Sequence, residues 1–313
     1  MTDSLPVIDL AGLSGHDEGA FERIAAEIGA ACRTIGFFYV VNHGVAPMLM
    51  REAFAQSAAF FALPLAEKQR LAAERVGGNR GYFGLRGEAL DPKAGADLKE
   101  SFNVGLDLAA DDPEILAGIP FRTLNVWPPA PAFKPTMLAY FEACAGLARA
   151  IHRAFARDLA LPVDFFEAKL DRPMATLRML HYPAASAEGE IGAGEHTDYG
   201  NITLLATDEV GGLEARTRAG QWIVAPPMEG AFVVNIGDCL MRWTNDVYVS
   251  TPHRVVNRSG RERYSIAYFF DPNPEARVEA IPSCVAAGAA PLYPPVLAAD
   301  YLKMRLDASV PAM

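Results

Sequence analysis

The chain has 313 residues, of which 51% are hydrophobic and 21% are charged, and its formal net charge at pH 7 is −10. This balance is typical of a folded globular protein and excludes the class of intrinsically disordered chains. The negative charge disfavours nucleic acids and acidic membrane surfaces as partners, because no dense Lys/Arg cluster offsets the repulsion. The composition therefore favours a small molecule as the partner.

Neither a disulfide framework nor a membrane anchor is predicted. The four cysteines are far apart and form no CxxC pair. The opening MTDSLPVIDLAGL lacks the basic and apolar regions of a signal peptide. No apolar stretch approaches the roughly 20 residues that a membrane span needs. We therefore expect a cytoplasmic protein, and the sequence leaves its oligomeric state open.

The first elements are predicted to run in the order strand, helix, strand. The short apolar run at 5–10 indicates a strand. Apolar residues then recur at three- and four-residue steps between residues 19 and 34, which indicates an amphipathic helix. The aromatic and β-branched run GFFYVVNHGV at 36–45 indicates a buried strand.

The next part of the chain is predicted to be helical with one long interruption. Residues 46–75 return to helical spacing, and residues 131–160 have the pattern of a long helix packed on a sheet. Between them, residues 76–105 contain glycines, a proline and charges with little periodicity. We expect this segment to be a long irregular loop, and such loops often contribute to function.

The second half of the chain consists of short β-forming runs separated by Gly, Pro, Asn and Asp. The predicted strands are TLRMLHY, NITLLAT, QWIVAP, AFVVNIG, HRVVN and RYSIAYFF. Strands at this spacing predict a sandwich or barrel, and a jelly roll is one such structure. Near the C-terminus, a proline pair precedes a helical stripe formed by Val296, Leu297, Tyr301 and Leu302. We therefore expect a mixed, largely helical region at 1–174 packed on a β-rich core with a C-terminal helix at 175–313, together forming one structural unit.

Three residues of the β-rich half form a candidate metal site. His196 and Asp198 are two positions apart, and in an extended chain such residues point to the same side. His253 begins a later β-type run, which a jelly roll can bring back beside the first two. Two imidazoles and one carboxylate that leave other coordination positions free are the arrangement of non-haem iron(II) oxygenases. We predict a metal bound by these three residues.

A His-x-Asp pair occurs by chance in many chains, and an isolated histidine is more often structural than a metal ligand. The order of the later residues changes this balance. Arg263 and Ser265 follow His253 as another pair on one face of a strand. The guanidinium fork can bind a carboxylate through two hydrogen bonds, and the serine hydroxyl can add a third. Without the histidines, the simpler interpretation would be an Arg263 stem packed on Phe269 or paired with a nearby acid.

The chain resembles the isopenicillin N synthase-like branch of the iron(II)/2-oxoglutarate-dependent dioxygenases, over nearly its whole length. The resemblance rests on LPVIDL, GFFYVVNHGV, GYFG, LKESFNVG and NVWP in the first half and on GEHTDYGNITLL, GGLEA, FVVNIGD, STPHRV and RYSIAYFFDPN in the second. It implies a mixed α and β fold in which helices from the N-terminal and C-terminal parts flank a distorted jelly roll, also called a double-stranded β-helix.

The resemblance also implies the roles of individual residues. His196, Asp198 and His253 match the iron ligands, and Arg263 and Ser265 match the pair that binds the distal carboxylate of 2-oxoglutarate. Tyr182 falls where many members have a tyrosine that also binds this co-substrate, although His181 replaces the tyrosine that commonly precedes it in plant members. The implied reaction is hydroxylation, desaturation or cyclisation of a small organic substrate by Fe(II), 2-oxoglutarate and O2, with release of succinate and CO2.

Residues facing the substrate are expected from the irregular loop and from the mouth of the barrel, because ligand pockets combine an apolar lining with a few polar groups. Strand alternation places Arg178 on the same face as Tyr182, where its charge would suit an anionic substrate. The full set of expected substrate-facing residues is Tyr82, Phe83, Phe102, Asn103, Arg178, His181, Asn201 and Phe269.

Three alternatives remain open at this point. The first is an iron oxidase of the same fold that does not use 2-oxoglutarate. The second is a binding or structural module that keeps the scaffold without catalysis. The third is a cupin-like zinc or manganese enzyme, because histidine and carboxylate ligands alone do not fix the metal. No sequence feature identifies the primary substrate.

Overall fold

The computed structural model describes residues 4–15, 17–91, 95–184 and 191–309. The helices are α1 Glu18–Thr34, α2 Pro47–Phe61, α3 Leu65–Gln69, α4 Ala73–Val76, α5 Pro113–Leu116, α6 Phe133–Asp158, α7 Asp238–Trp243 and α8 Ala298–Ser309. The strands are β1 Val7–Asp9, β2 Phe37–Val41, β3 Gly81–Phe83, β4 Glu100–Gly105, β5 Thr176–Tyr182, β6 Ile191–His196, β7 Ile202–Thr207, β8 Leu213–Arg216, β9 Trp222–Ala225, β10 Phe232–Ile236, β11 His253–Val256, β12 Arg263–Phe270, β13 Arg277–Val278 and β14 Val296–Leu297. In these described ranges, no helix combines the length and apolar character of a membrane crossing.

Local sequence explains the helices that cover the sheet. Helix α1 begins after Asp17, whose carboxylate accepts a hydrogen bond from the backbone N–H of Ala20 at 3.1 Å and so caps the helix. Its apolar stripe packs against α6. Helix α6 is 26 residues long and buries a continuous face between α1, α2 and the sheet. The N-terminal helices thus cover one side of the β structure.

Two sheets form the core. The larger has eight strands in the order β1-β2-β10-β7-β12-β5-β4-β3, and the smaller has four in the order β6-β11-β8-β9. All pairings in both sheets are antiparallel except that of β1 with β2. One hydrophobic cluster lies between the larger sheet and the helices, and a second contains residues of both sheets. The expected jelly-roll core flanked by helices is confirmed.

The strand register decides which residues face the space between the sheets. Asn103 of β4 pairs with Arg178 of β5, which pairs with Ala267 of β12, so these three side chains share the face toward the smaller sheet. The adjacent row, Phe102 and Met179, points into the core under the helices. Neighbouring side chains along β5 therefore alternate between the cavity and the core under the helices.

The larger sheet crosses the boundary drawn at residues 174 and 175. Strand β2 from the first part pairs with β10 from the second, and β4 pairs with β5. The helical and β-rich parts of the chain are therefore joined by strand hydrogen bonds, in addition to the packing of the helices.

The structure differs from the expected elements at three places. Residues 76–105 contain β3 and β4, because β4 is buried on both faces and its polar residues hide the alternation of a strand. Strands β6 and β8 were not expected, since β6 has the glycine-rich sequence IGAGEH. Val296 and Leu297 form β14, which pairs with β13, so helix α8 begins only at Ala298.

Candidate active site

The three predicted metal ligands converge at one end of the smaller sheet. His196 is the last residue of β6 and His253 is the first of β11, and the register of these antiparallel strands places them opposite each other. Asp198 lies in the connection from β6 to β7, and its Oδ1 is 3.8 Å from His196 Nε2 and 3.7 Å from His253 Nε2. One ligand atom from each residue lies within 4.8 Å of the others, close enough to bind one metal ion.

Hydrogen bonds orient all three side chains. His196 Nδ1 donates to the carbonyl of Gly194 at 2.7 Å and His253 Nδ1 donates to that of Thr251 at 3.1 Å, which leaves each Nε2 as an acceptor facing the site. Thr203 and Asn235 orient the third side chain, Asp198. Its Oδ2 accepts hydrogen bonds at 2.5 Å from Thr203 Oγ1 and at 2.7 Å from the Asn235 amide, so Oδ1 is turned toward the imidazoles.

The electrostatics of the site favour a divalent cation. Burial, together with the neighbouring His253, lowers the pKa of His196 to about 3, so this imidazole is neutral at physiological pH. Burial alone would raise the pKa of Asp198, but the two imidazoles and the hydrogen bonds from Asn235 and Thr203 outweigh it, and the pKa is lowered. Two imidazole nitrogens and an ionised carboxylate are the donor set of a non-haem iron(II) centre with open positions.

A second set of predicted residues lies beside the metal site. Arg263 is fully buried; its Nε donates to the Gly211 carbonyl at 2.6 Å and its Nη1 to Ser265 Oγ at 3.0 Å. The guanidinium group lies over the ring of Tyr182, 4.6 Å from the ring centre. Its Nη2 has no hydrogen-bond partner in the described part of the chain. A buried cationic donor without an acceptor costs free energy, and a ligand carboxylate would satisfy it.

One cavity joins the two sets. The metal ligands, Arg263, Ser265 and Tyr182 all line a cavity of about 70 Å³ between the sheets. Arg178 and Phe269 line this cavity and also an adjoining cleft of about 200 Å³, to which Asn103 and Leu302 of α8 contribute. The metal site therefore lies where a buried pocket meets a larger cleft, which is suited to a co-substrate on one side and a substrate on the other.

A hydrogen-bonded network forms the polar wall of the cleft. Arg178 Nε donates to Asn103 Oδ1 at 3.0 Å and its Nη2 to Glu88 Oε1 at 2.6 Å. Lys99 Nζ lies 3.4 Å from Glu88 Oε2 and 2.6 Å from Asp97 Oδ2. Burial alone would raise the pKa of Glu88, but Arg178 and Lys99 lower it to about 2. The wall is therefore charged at neutral pH, and these cations are balanced by acids.

Of the eight residues expected to face substrate, Asn103, Arg178 and Phe269 line the cleft. Phe83 lies one layer behind them, with its ring centre 5.6 Å from the Arg178 guanidinium carbon. The structure thus brings three of the eight to the cavity walls and a fourth against one of those three.

The other four residues do not line the cavity or the cleft. Tyr82, Phe102 and His181 are on the opposite face of the larger sheet because of strand alternation. Tyr82 Oη and His181 Nδ1 both donate to the Glu100 carboxylate, at 2.5 and 2.8 Å. Phe102 packs on Phe60. Asn201 is the last residue of the connection from β6 to β7 and is fully buried, and its amide lies 3.3 Å from His152 Nε2.

Sequence reasoning missed several residues that build the site. Thr203 and Asn235, which hold Asp198, are polar residues inside the otherwise apolar runs ITLLAT and FVVNI. A buried polar side chain in such a run needs a partner, and that signal could have marked both. Lys99 and Leu302 carry no comparable signal, since only the folded chain brings them to the cavity.

Comparison with known proteins gives a consistent picture. Residues 5–130 match the family model described as the N-terminal region of non-haem dioxygenases in morphine synthesis. Residues 173–272 match the model of the 2OG-Fe(II) oxygenase superfamily, and this segment contains all three candidate metal ligands.

Similar proteins cover nearly the full chain. The 2-oxoglutarate-Fe(II) type oxidoreductase hxnY of Emericella nidulans is 37% identical over 95% of this chain and 88% of its own length. Kihadalactone A synthase LFS of Citrus sinensis is 39% identical, over 96% and 91%. The crystal structure of a full-length Neurospora crassa protein in complex with α-ketoglutarate (2-oxoglutarate) superposes with a TM-score of 0.87 at 36% identity, covering 98% of this chain and 96% of that one. The chain therefore belongs to the Fe(II)- and 2-oxoglutarate-dependent dioxygenases, in their isopenicillin N synthase-like branch.

Proposed function

We propose that this enzyme oxidises a small organic molecule in the cleft beside His196, Asp198 and His253, with Fe(II), 2-oxoglutarate and O2, and releases succinate and CO2. The observation that carries the assignment to this cavity is the position of Arg263. Its buried Nη2 has no partner among the described residues, and it lines the same cavity as the candidate metal ligands. A dicarboxylate can satisfy this donor while its other end reaches the metal.

The three candidate ligands would hold the iron. The Nδ1 hydrogen bonds to backbone carbonyls fix both imidazoles with Nε2 toward the metal, and Thr203 and Asn235 hold Asp198 so that Oδ1 is available. When bound, iron supplies the activation of O2 and the oxidative decarboxylation of 2-oxoglutarate, chemistry that the protein itself cannot provide. The protein contributes orientation and a buried, shielded site.

The distal carboxylate of 2-oxoglutarate would be held by Arg263 and Ser265. Register places Arg263 opposite Tyr182 and Ser265 opposite Leu180, so these side chains form one continuous patch of the cavity wall. The Tyr182 ring lies against the guanidinium group and limits its movement. The resulting pocket holds a fixed cation at one end and the metal ligands at the other.

The primary substrate would occupy the adjoining cleft between Arg178, Asn103 and Phe269. The Neurospora crassa protein has also been crystallised in complex with α-ketoglutarate and thymine, and that structure has a TM-score of 0.85 to this one at 35% identity, covering 98% of this chain and 97% of that one. We infer a small polar or aromatic organic substrate of comparable size, handled in the cytoplasm by a chain that works as one structural unit.

The test compares two arginine variants. Arg263→Met removes the buried cation, whereas the control Arg261→Gln removes an exposed arginine two positions earlier that pairs with Glu209. Loss of one partner from a buried charge pair costs about 2–5 kcal/mol, or on the order of 30-fold or more in affinity. We expect the Kd of 2-oxoglutarate, titrated anaerobically into Fe(II)-loaded enzyme, to rise by that factor in Arg263→Met and to remain unchanged in Arg261→Gln.

The same preparations distinguish the alternatives. Succinate formation and oxygen uptake are followed with and without 2-oxoglutarate, across a library of small metabolites. Substrate-stimulated succinate formation supports the proposal. Iron-dependent oxygen uptake without succinate would identify an oxidase that does not use 2-oxoglutarate, and failure to bind Fe(II) would leave a binding module.

A further inference from the structure

Arg80 is a buried arginine that the roles described above do not use. It lies between α4 and β3 and is 4% exposed, and it lines the cleft together with Thr176 and Arg178. Its guanidinium group lies against Gly105 of β4. A Cβ added at Gly105 would be 2.0 Å from Arg80 Nη2, so only glycine leaves room for the guanidinium group at this position.

The location of Arg80 within the cleft follows from strand register. Gly105 pairs with Thr176, Thr176 pairs with Phe269, and Phe269 pairs with Thr203, whose hydroxyl binds Asp198. These residues form one row across four neighbouring strands, about 4.8 Å apart at each step. Thr176 is two steps, or about 10 Å, from Thr203 on the metal side, and Arg80 lies beside Thr176 at the far end of the cleft.

The hydrogen bonds of Arg80 leave its Nε without a partner. Nη1 donates to the Asn79 carbonyl at 2.9 Å and lies 3.3 Å from Thr176 Oγ1. Within the described ranges, the buried Nε has no hydrogen-bond partner, and no carboxylate forms an ion pair with Arg80. Buried charges are normally paired, because an uncompensated one carries a desolvation cost.

The other cations near the cleft are balanced. Arg178 pairs with Glu88, Lys99 with Asp97, and Arg122 with Glu114. Burial and the proximity of Arg122 lower the pKa of Arg80 to about 10, so it remains charged at neutral pH. Among the described residues, Arg80 therefore has no counter-ion, whereas its neighbour Arg178 in the cleft wall is balanced by Glu88.

We propose that the primary substrate carries a carboxylate, and that Arg80 is the specificity residue that binds it at the end of the cleft opposite the metal site. The inference rests on the proposed function, since it assumes that this cleft holds the substrate. The carboxylate pairs with the buried guanidinium charge and accepts the hydrogen bond of its unpartnered Nε, and the carbon to be oxidised then lies at the other end of the molecule, near His196 and Asp198.

The experiment measures discrimination between a carboxylate and its uncharged analogue. The full-length enzyme is loaded anaerobically with Fe(II) and 2-oxoglutarate, and the probes are phenylacetate, cinnamate and benzoate, each compared with its primary amide by calorimetry. We expect at least one carboxylate to bind on the order of 30-fold more tightly than its amide in the wild type. A panel in which no carboxylate binds more tightly than its amide overturns the proposal.

Variants assign the discrimination to Arg80. Arg80→Gln should reduce the carboxylate-to-amide ratio to near one, and Arg80→Lys should keep part of it. Gly105→Ala should also reduce the ratio, because the added Cβ displaces the guanidinium group. The control Arg75→Gln removes an exposed cation on α4 and should leave the ratio unchanged. A full ratio in well-folded Arg80→Gln and Gly105→Ala enzymes would show that another group binds the carboxylate.

The readouts separate this inference from the proposed function. The Kd of 2-oxoglutarate is measured for each variant, and Arg80→Gln should leave it unchanged, since Arg263 is the residue assigned to that carboxylate. Normal binding of 2-oxoglutarate without carboxylate discrimination defeats only the Arg80 proposal. Loss of 2-oxoglutarate binding from the wild type defeats the proposed function itself.

Discussion

Replacing Thr203 with valine removes one hydroxyl group from the metal site and preserves the shape of the side chain. Thr203 is buried, and its Oγ1 donates to Asp198 Oδ2 at 2.5 Å; the second donor to that oxygen is the amide of Asn235 at 2.7 Å. The Thr203→Val variant therefore leaves Asp198 in place with one of its two donors to Oδ2. The carboxylate should become free to rotate away from the two imidazoles.

The size of the effect follows from the charge on the acceptor. A hydrogen bond to an ionised group contributes about 1.5–3 kcal/mol, which corresponds to roughly 10- to 150-fold in an equilibrium constant. Loss of an outer partner of a metal ligand typically weakens metal affinity by about 10–100-fold. We expect the Kd for Fe(II) to rise within this range, and the metal-free protein to lose about 1–3 kcal/mol of stability because the buried carboxylate keeps fewer donors.

The assay is an anaerobic competition for Fe(II) between the enzyme and a chelator of known affinity, accompanied by denaturant unfolding of the metal-free protein. Thr203→Ser is the matched control, because it keeps the hydroxyl and loses only the methyl group. The reasoning is refuted if Thr203→Val binds Fe(II) as tightly as the wild type. It is also refuted if Thr203→Ser is equally impaired, since the methyl packing would then matter rather than the hydrogen bond.

The remaining predictions concern the two faces of the larger sheet and the metal. Phe102→Ala should lower the free energy of unfolding by about 3–5 kcal/mol and leave the KM of the primary substrate unchanged, because Phe102 packs in the core. Phe269→Ala should raise that KM, because Phe269 lines the cleft. The reverse pattern in unfolding and steady-state assays would contradict the assigned faces. Burial alone would raise the pKa of Glu100, but hydrogen bonds from His181 and Lys68 lower it. The ionised carboxylate therefore contributes fully to the stability of the fold above about pH 4.3, the ordinary pKa of a glutamate, and this contribution is lost as the pH falls through the lowered pKa. Melting curves from pH 7 to pH 3 should show Glu100→Gln less stable than the wild type at pH 7, with a difference that shrinks below about pH 4; a constant difference would refute the linkage. Removal of the metal with a chelator should abolish succinate formation, Fe(II) should restore it, and restoration by Zn(II) alone would contradict the iron assignment.

The sequence indicated the candidate metal ligands because their chemistry depends on residue type and short spacing. His196 and Asp198 are two positions apart, and the structure places them with His253 around one point. The pair Arg263 and Ser265 was equally accessible, since both residues lie on one face of β12. The spacing of β-forming runs, which is also a local property, predicted a sandwich or barrel, and the family resemblance implied the jelly roll.

Side-chain orientation was less accessible, although one local rule was available. Alternation along TLRMLHY places Arg178 and Tyr182 on one face and His181 on the other, and the structure agrees. The same rule separates His181 from Arg178, which lines the cavity. Phe102 could not be assigned in this way, because β4 lay inside a segment expected to be irregular and its buried polar residues hid the strand.

The remaining contributions depend on contacts between distant parts of the chain. Leu302 reaches the cleft from the C-terminal helix, and Lys99 reaches the cavity through its contact with Asp97 and Glu88. Arg80 is one arginine among many in the sequence. Its lack of an acidic partner within the described ranges appears only when the charged side chains around it are placed in space.

The cleft is assembled from parts that tolerate change to different degrees. Arg178 and Phe269 lie on β5 and β12, which are hydrogen-bonded to neighbours on both edges, so the backbone at these positions cannot move without disturbing the adjoining strands. Asn79 and Leu302 belong instead to a loop and to the C-terminal helix, outside the sheet. Evolution can therefore exchange these peripheral segments and diversify the substrates of related enzymes while the iron chemistry is inherited unchanged. Protein engineers can follow the same route by transplanting α8 and the loop around Asn79 between family members.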